Sequence, residues 1–357
     1  MLSILLEFSP VKDASEVLIT IPAVNRRDFG RQLAAGAASF ALGGWLSGCE
    51  KRQPVAPANG SRPKIYRLGL IAKSNSNPVF LAARKGAEVR AAELTKELGT
   101  AIEIDWRTPN DEDAQKQADF LEQLVNAGAD AIAIACSDAD KVTRTIDDAV
   151  ARGVNVMCFD SDAPESNRLC YVGTDDREAG REVMRQVLAR VGDREGTIAI
   201  LAGNETATNL QRRVEGANSE ILGRDKVSLA GVFYHKETPQ DSYAKVESVQ
   251  KANPEIIGWA MVGGWPIMTA RPLPWQPGEV TCVSMDTLKP QLEHLRIGDV
   301  QLLLGQRYFE FGQRCVDILV EKCRSGTDPE KEIDFAPLDP VTKENVDEYE
   351  KNWEKWS

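Results

Sequence analysis

Several short segments of this chain collect the side chains that could do chemistry. They are Lys73-Ser74-Asn75-Ser76-Asn77-Pro78, Cys136-Ser137-Asp138, Asp160-Ser161-Asp162, Gly203-Asn204-Glu205, Gly263-Gly264-Trp265, Asp286-Thr287 and Gln306-Arg307. Carboxylates, amides and hydroxyls dominate, with a few aromatics. A carboxylate accepts hydrogen bonds from ligand hydroxyls, an arginine donates several, and an aromatic face covers apolar C–H surface. That inventory suits the capture of a neutral polyhydroxyl molecule. Signatures of catalysis are missing: there is no HExxH, GxSxG or Walker loop, and no GxGxxG after a strand. Asp160 and Asp286 are the carboxylate pair that a glycosidase would need. A binding cleft uses the same residue types without turnover.

Each polar segment follows an apolar run of strand length. Ile65–Ala72, Ala101–Trp106, Asp130–Ala135 and Val154–Phe159 read as strands, alternating with helices at Val79–Leu98, Asp113–Asn126 and Ala139–Ala151. The pattern then restarts. Strands at Leu169–Val172, Thr197–Ala202, Val227–Tyr234, Ile256–Val262, Val280–Met285 and Val300–Gly305 alternate with helices at Arg177–Val191, Ala207–Leu222, Gln240–Ala252, Pro290–Leu295 and Phe309–Arg324. Strand–helix alternation predicts parallel sheets made of βαβ units, and ligands of such sheets sit beyond the carboxyl ends of the strands. Two runs of similar size predict an α/β chain of two similar doubly wound lobes. Residues 341–356 read as a final polar helix strapped on one lobe.

The N-terminal region carries a different message. Arg26 and Arg27 precede an Ala/Gly-rich apolar run from Leu33 to Leu46, which ends in Leu46-Ser47-Gly48-Cys49. The run is shorter than the ~20 residues of a membrane span. Its layout resembles a twin-arginine export signal ending in a bacterial lipobox, which implies acylation of Cys49. Residues 1–48 would be removed, and residues 49–63, rich in Pro and Ala, would tether the folded part. The 1–48 segment has as many basic as acidic residues, so the formal charge of −11 stays with the remainder. An acidic balance argues against a nucleic-acid partner. Besides Cys49, the cysteines 136, 158, 170, 282, 315 and 323 show no metal-ligand spacing. Cys136, Cys158 and Cys282 read as small buried apolar residues.

From about residue 65 to 340 the chain resembles bacterial periplasmic sugar-binding proteins of the ribose/galactose type, which serve ABC importers. The resemblance rests on Ser74-Asn75-Ser76-Asn77-Pro78-Val79-Phe80, Phe159-Asp160, Tyr171-Val172-Gly173-Thr174-Asp175, Arg213-Val214-Glu215-Gly216, Val283-Ser284-Met285-Asp286 and Gly305-Gln306. It implies a two-lobe fold of periplasmic binding protein type I with a three-crossing hinge near Thr174, Gln306 and Phe335. The implied lobes are 64–174 plus 307–335 and 175–306 plus 336–357. It also implies Asn77, Phe80, Asp160, Arg213 and Asp286 as ligand contacts, with Gln306 at the hinge; Lys73 and Trp265 are added from their places after strands. A monomeric, cofactor-free binder of a sugar or polyol is expected, held on a membrane by its lipid and partnered by an importer permease. The alternative, a sensor presenting its ligand to a membrane kinase or chemoreceptor, shares the cleft and differs in the partner that its lobe surfaces meet. The chain departs from the ribose pattern at Val79, at Ser161 and at Gly263-Gly264-Trp265-Pro266. The framework of the cleft is kept while the residues that choose the ligand differ.

Overall fold

The computed structural model describes residues 65–356. The twin-arginine stretch, Cys49 and the tether lie outside the described residues. Two six-stranded sheets organise the rest. The first takes β1 (Ile65–Ile71), β2 (Ala101–Trp106), β3 (Ala131–Ile134), β4 (Asn155–Phe159), β5 (Tyr171–Gly173) and β11 (Ile333–Phe335). The second takes β6 (Gly196–Ala202), β7 (Val227–Tyr234), β8 (Ile256–Met261), β9 (Thr281–Met285), β10 (Leu302–Gly305) and β12 (Asp339–Val341). Their orders, β11-β5-β4-β3-β1-β2 and β12-β10-β9-β8-β6-β7, are the same wiring used twice. All pairs are parallel except β12, which runs antiparallel to β10. Helices cover both faces, so the central strands read as continuous apolar runs: every residue of β3 is buried, with 0% exposure.

The helices begin where the sequence provides caps. Asp113 accepts from the Lys116 amide ahead of α2 (Ala114–Asn126), and Asp138 from the Lys141 amide ahead of α3 (Ala139–Ala151). Asp175 does the same for α4 (Asp176–Val191), and Thr238 for α6 (Pro239–Ala252). Each such bond satisfies an amide that the helix itself leaves without an acceptor.

Two helix pairs fix the depth of the site. In the first lobe α1 (Val79–Leu98) lies on α8 (Tyr308–Ser325); in the second α4 lies on α5 (Thr208–Ile221). Both contacts close through reciprocal glycines. A Cβ at Gly86 would fall 2.0 Å from the Phe309 carbonyl oxygen, and one at Gly312 would fall 1.9 Å from that of Ala83. A Cβ at Gly180 would fall 1.9 Å from the Arg213 carbonyl oxygen, and one at Gly216 would fall 2.0 Å from that of Arg177. Only glycine allows backbones this close. The approach seats Phe80 and Tyr308 in one lobe and Arg213 in the other.

The chain passes between the sheets three times: from β5 into α4, from β10 into α8, and from β11 into β12. The tail differs from the single helix expected for residues 341–356. After β12 it forms two short helices, α9 (Val346–Glu350) and α10 (Trp353–Trp356). It also touches both lobes rather than one. The Trp353 indole donates to the Thr287 carbonyl at 2.8 Å in the second lobe, while α10 packs on α1 of the first.

Candidate functional site

Asp160 and Asp286 follow β4 and β9, equivalent strands of the two sheets. They are the non-glycine residues with positive φ among those described, at 58° and 72°. Asp tolerates this left-handed conformation better than most residues, yet it still costs about 1–3 kcal/mol. The same strained turn, occurring twice, aims a carboxylate inward from each lobe. Both are buried, at 2% and 5% exposure.

Gln306, at the second crossing, joins them. Its amide nitrogen donates to Asp286 Oδ1 at 2.8 Å and to the Tyr308 hydroxyl at 2.9 Å. Tyr308 in turn donates to Asp160 Oδ1 at 2.9 Å. The amide oxygen of Gln306 accepts from Arg213 Nη2 at 2.8 Å and from the Thr174 hydroxyl at 3.1 Å. Both donors and both acceptor sites of this side chain are used. Arg213 also donates from Nε to Asp176 at 2.8 Å and from Nη1 to the Val262 carbonyl at 3.1 Å. Burial raises the carboxyls of Asp160 and Asp286 above the usual range, although Arg213 pulls both down. Burial likewise raises Asp176, to about 7, against the pull of Arg213.

A second group lies farther out. Lys73, after β1, is 2.8 Å from Glu112 of its own lobe and 3.7 Å from Glu237 of the other. Burial alone would lower its ammonium; Glu112, Glu237 and Asp160 outweigh burial and raise it. Burial raises the Glu112 carboxyl, as does its neighbour Glu237. Between the lobes at this level lies a cavity of about 750 Å3, lined by Ser74, Ser76 and Glu112 on one side and by Asn204, His235 and Glu237 on the other. Small-molecule sites span roughly 300–1,000 Å3. A groove of about 460 Å3 between α1 and α7 (Lys289–Ile297) is lined mainly by apolar side chains on the outer faces of helices, including Leu81, Trp353 and Trp356. It lacks the strand-end polar groups of the cleft.

The residues expected from the sequence divide three ways. Asp160, Arg213, Asp286 and Gln306 share one hydrogen-bonded network, and Phe80 packs edge-on to the Tyr308 ring at 5.8 Å. Lys73 belongs to the outer group. Trp265 lies in a helical turn (Trp265–Ile267), 4% exposed, its ring edge-on to His235 at 5.0 Å. The side-chain Oδ1 of Asn77 accepts from the Val79 amide at 3.3 Å, a bond at the start of α1. Among the described residues, no hydrogen bond joins its side chain to the network. Tyr308, Asp176, Glu112 and Glu237 were not singled out by the sequence. The signal for Tyr308 was its place, two residues after Gln306 at the mouth of a helix. Glu112 and Glu237 sit in loops, and Asp176 opens α4 beside its capping Asp175, all crowded with other carboxylates.

Comparison with known proteins agrees with this architecture. A family model described as a periplasmic binding protein domain matches residues 68–327. A D-ribose/D-allose-binding protein of Pseudomonas aeruginosa is 28% identical over 220 residues, covering 59% of this chain and 61% of that protein. A xylitol-binding protein of Mycolicibacterium smegmatis is 23% identical over 323 residues, covering 88% of this chain and 87% of that protein. The matched stretches span 61%, 54% and 59% of the ribose/allose protein, a Bacillus subtilis ribose import binding protein and an Actinobacillus succinogenes D-apiose import binding protein. Among solved structures, an ABC transporter solute-binding protein of Burkholderia graminis in complex with D-arabinose has a TM-score of 0.73 at 23% identity, covering 79% of this chain and 96% of that one. That likeness concerns the fold. With the family model matched across both lobes, the chain belongs to the periplasmic binding protein domain family.

Proposed function

We propose that this protein is an exported solute-binding lipoprotein that captures a sugar or related polyol between its lobes and delivers it to an ABC importer. One observation carries the reading: equivalent strand ends of two like lobes each turn a strained, buried Asp inward, and the two are bridged through Gln306. Carboxylates, an arginine and an amide around an interlobe cavity suit ligand hydroxyls, and relatives bear the names of ribose, allose, apiose and xylitol binders. Asp160, Arg213, Asp286 and Gln306 form the inner wall, Phe80 backs it, and Lys73 and Trp265 stand outside it. Asn77 would offer its side-chain Nδ2 to the ligand while its Oδ1 keeps the Val79 amide. Residues 64–174 plus 307–335 and 175–306 plus 336–357 move as two bodies about the three crossings. Ligand contacts from both bodies favour the closed form by differential affinity. The twin-arginine signal exports the chain, acylated Cys49 holds it at a membrane as a monomer, and binding proceeds without cofactor or turnover.

Calorimetric titration of the purified protein against pentoses, hexoses, polyols and nucleosides tests the reading. Saturable binding of a sugar or polyol, with the ligand recovered unchanged, is the expected result. Silence across the panel would remove the small-ligand claim, and a new product would replace binding with catalysis.

A further inference from the structure

The inner end of the cleft is already full. The Tyr308 hydroxyl donates to Asp160 at 2.9 Å and accepts from Gln306 at 2.9 Å. Those are the two bonds that a ligand hydroxyl placed between a carboxylate and an amide would make. The ring is fixed by its neighbours: Phe80 stands edge-on at 5.8 Å on one side, and Phe311 at 5.5 Å on the other. Tyr308 is only 8% exposed. Beside it a void of about 10 Å3, bordered by Asp286, Gln306 and Tyr308 and closed by Val79, Ala82 and Trp353, is too small for any sugar. The large cavity lies on the Glu112 and His235 side.

Two of the unmet buried polar atoms point the same way, although Ser161 Oγ next to Asp160 is unmet as well. A buried polar atom without a partner costs about 1–3 kcal/mol. The inner network leaves Gln306 with none. By contrast His235 Nε2, in the wall of the outer cavity, is buried without a hydrogen-bond partner, and so is the indole nitrogen of Trp265 packed on the same ring. The other ring nitrogen of His235 is held at 2.5 Å by the Lys236 carbonyl, which leaves Nε2 as the acceptor.

We infer that Tyr308 sets the inner limit of the ligand site: its phenol oxygen stands in for a ligand hydroxyl between Asp160 and Gln306, so the bound molecule is held farther out, against His235. This rests on the sugar-binding reading and sharpens it. The selected ligand is one whose hydroxyls meet the outer faces of the carboxylates and the His235 acceptor, rather than one that inserts a hydroxyl at the hinge. The residue two places after the hinge Gln then acts as the gauge of the site.

The test is calorimetric titration of wild type, Tyr308→Ala, Tyr308→Phe and His235→Phe against the same panel of pentoses, hexoses and polyols, with a melting curve for each. Tyr308→Ala frees Asp160 and Gln306, and is expected to gain about tenfold or more in affinity for at least one sugar that wild type binds weakly, matching one recovered polar contact. Tyr308→Phe keeps the ring, so it should keep the wild-type order of preference even where Tyr308→Ala does not fold. His235→Phe should weaken the wild-type ligand by about tenfold for the same reason. An unchanged preference order in Tyr308→Ala, a shifted order in Tyr308→Phe, or unchanged affinity in His235→Phe, with wild type binding a sugar, would overturn this inference alone. Silence of every protein would overturn it together with the sugar reading.

Discussion

Arg213 offers the sharpest quantitative test, because its three bonds are all buried. Arg213→Met keeps the aliphatic stem and removes the donors to Asp176, Val262 and Gln306. Gln306 keeps the Thr174 hydroxyl, so its oxygen is not orphaned. The Val262 carbonyl and the Asp176 carboxyl are. Breaking a buried ion pair costs about 3–5 kcal/mol, and that is the loss expected at pH 7 in urea denaturation. The pH dependence separates this from simple loss of packing. Asp176 is held near 7 in the fold, well above the ordinary ~3.9. Between roughly pH 4 and 7 the folded protein therefore keeps a proton that the unfolded chain releases. The contribution of this group is full below about pH 4, is lost as pH rises through 7, and then levels off in wild type. Without Arg213 the carboxyl rises further, so in the variant the decline continues above pH 7 at about 1.4 kcal/mol per pH unit. The penalty of the substitution should thus grow between pH 7 and 9, and Asp176→Asn in the Arg213→Met background should abolish that growth. A loss below ~1 kcal/mol, or one that stays flat from pH 7 to 9, would refute the reasoning.

Three other outcomes follow from the geometry. Gly180→Ala puts a methyl 1.9 Å from a backbone oxygen, which cannot rotate away, so α4 and α5 must part and the melting curve should show a loss of about 2–3 kcal/mol; an unchanged melting temperature would contradict the close approach. Burial lowers His235 from ~6.5 to about 4 in the closed cleft, so the neutral ring favours closure above pH 6.5 and that contribution is lost as pH falls toward 4. Ligand affinity should accordingly drop from pH 7.5 to 5, with the Asp241 charge raising the ring and the Lys245 charge lowering it, and His235→Phe should flatten the profile; a steeper profile in the variant would assign the effect elsewhere. Lys73→Met leaves Glu112 facing Glu237 across the cleft without a cation, and should weaken ligand affinity about tenfold or more as closure sets two carboxylates together; affinity equal to wild type would show that the bridge does not span the moving parts.

The fold was legible in the sequence because its signals are local. Helix α1 and strands β2 and β7 fall at the residues expected, since apolar patterning and, for α1, the Pro78 start and Gly99 end act within a few positions. The tail was read poorly for the same reason. β12 is three residues long and exists only because β10 offers it an edge, which no local pattern announces. In the site, Asp160 and Asp286 were legible by their matching places after strands. Their positive φ was not, nor was Tyr308: a tyrosine at a helix start is ordinary until tertiary packing brings its oxygen to Asp160, 148 positions away in the chain. Lys73 was visible, but its partners come from two other loops.

The closed cleft contains links between the lobes and polar groups left unmet, and the latter are what a ligand can use. The network through Gln306 and the Lys73–Glu237 approach link the lobes without any ligand. The buried nitrogens of His235 and Trp265, both in the second lobe beside the outer cavity, are left unmet at about 1–3 kcal/mol each. A ligand shifts an equilibrium only by its differential affinity for the two states. A ligand whose hydroxyls meet His235 on one side of the outer cavity and Ser74 or Glu112 on the other would touch both lobes only in the closed form, and so would favour it. A ligand that merely replaced Tyr308 would exchange one satisfied bond for another and gain little. The same residues that hold the inner wall together thus reserve the response to binding for the outer cavity.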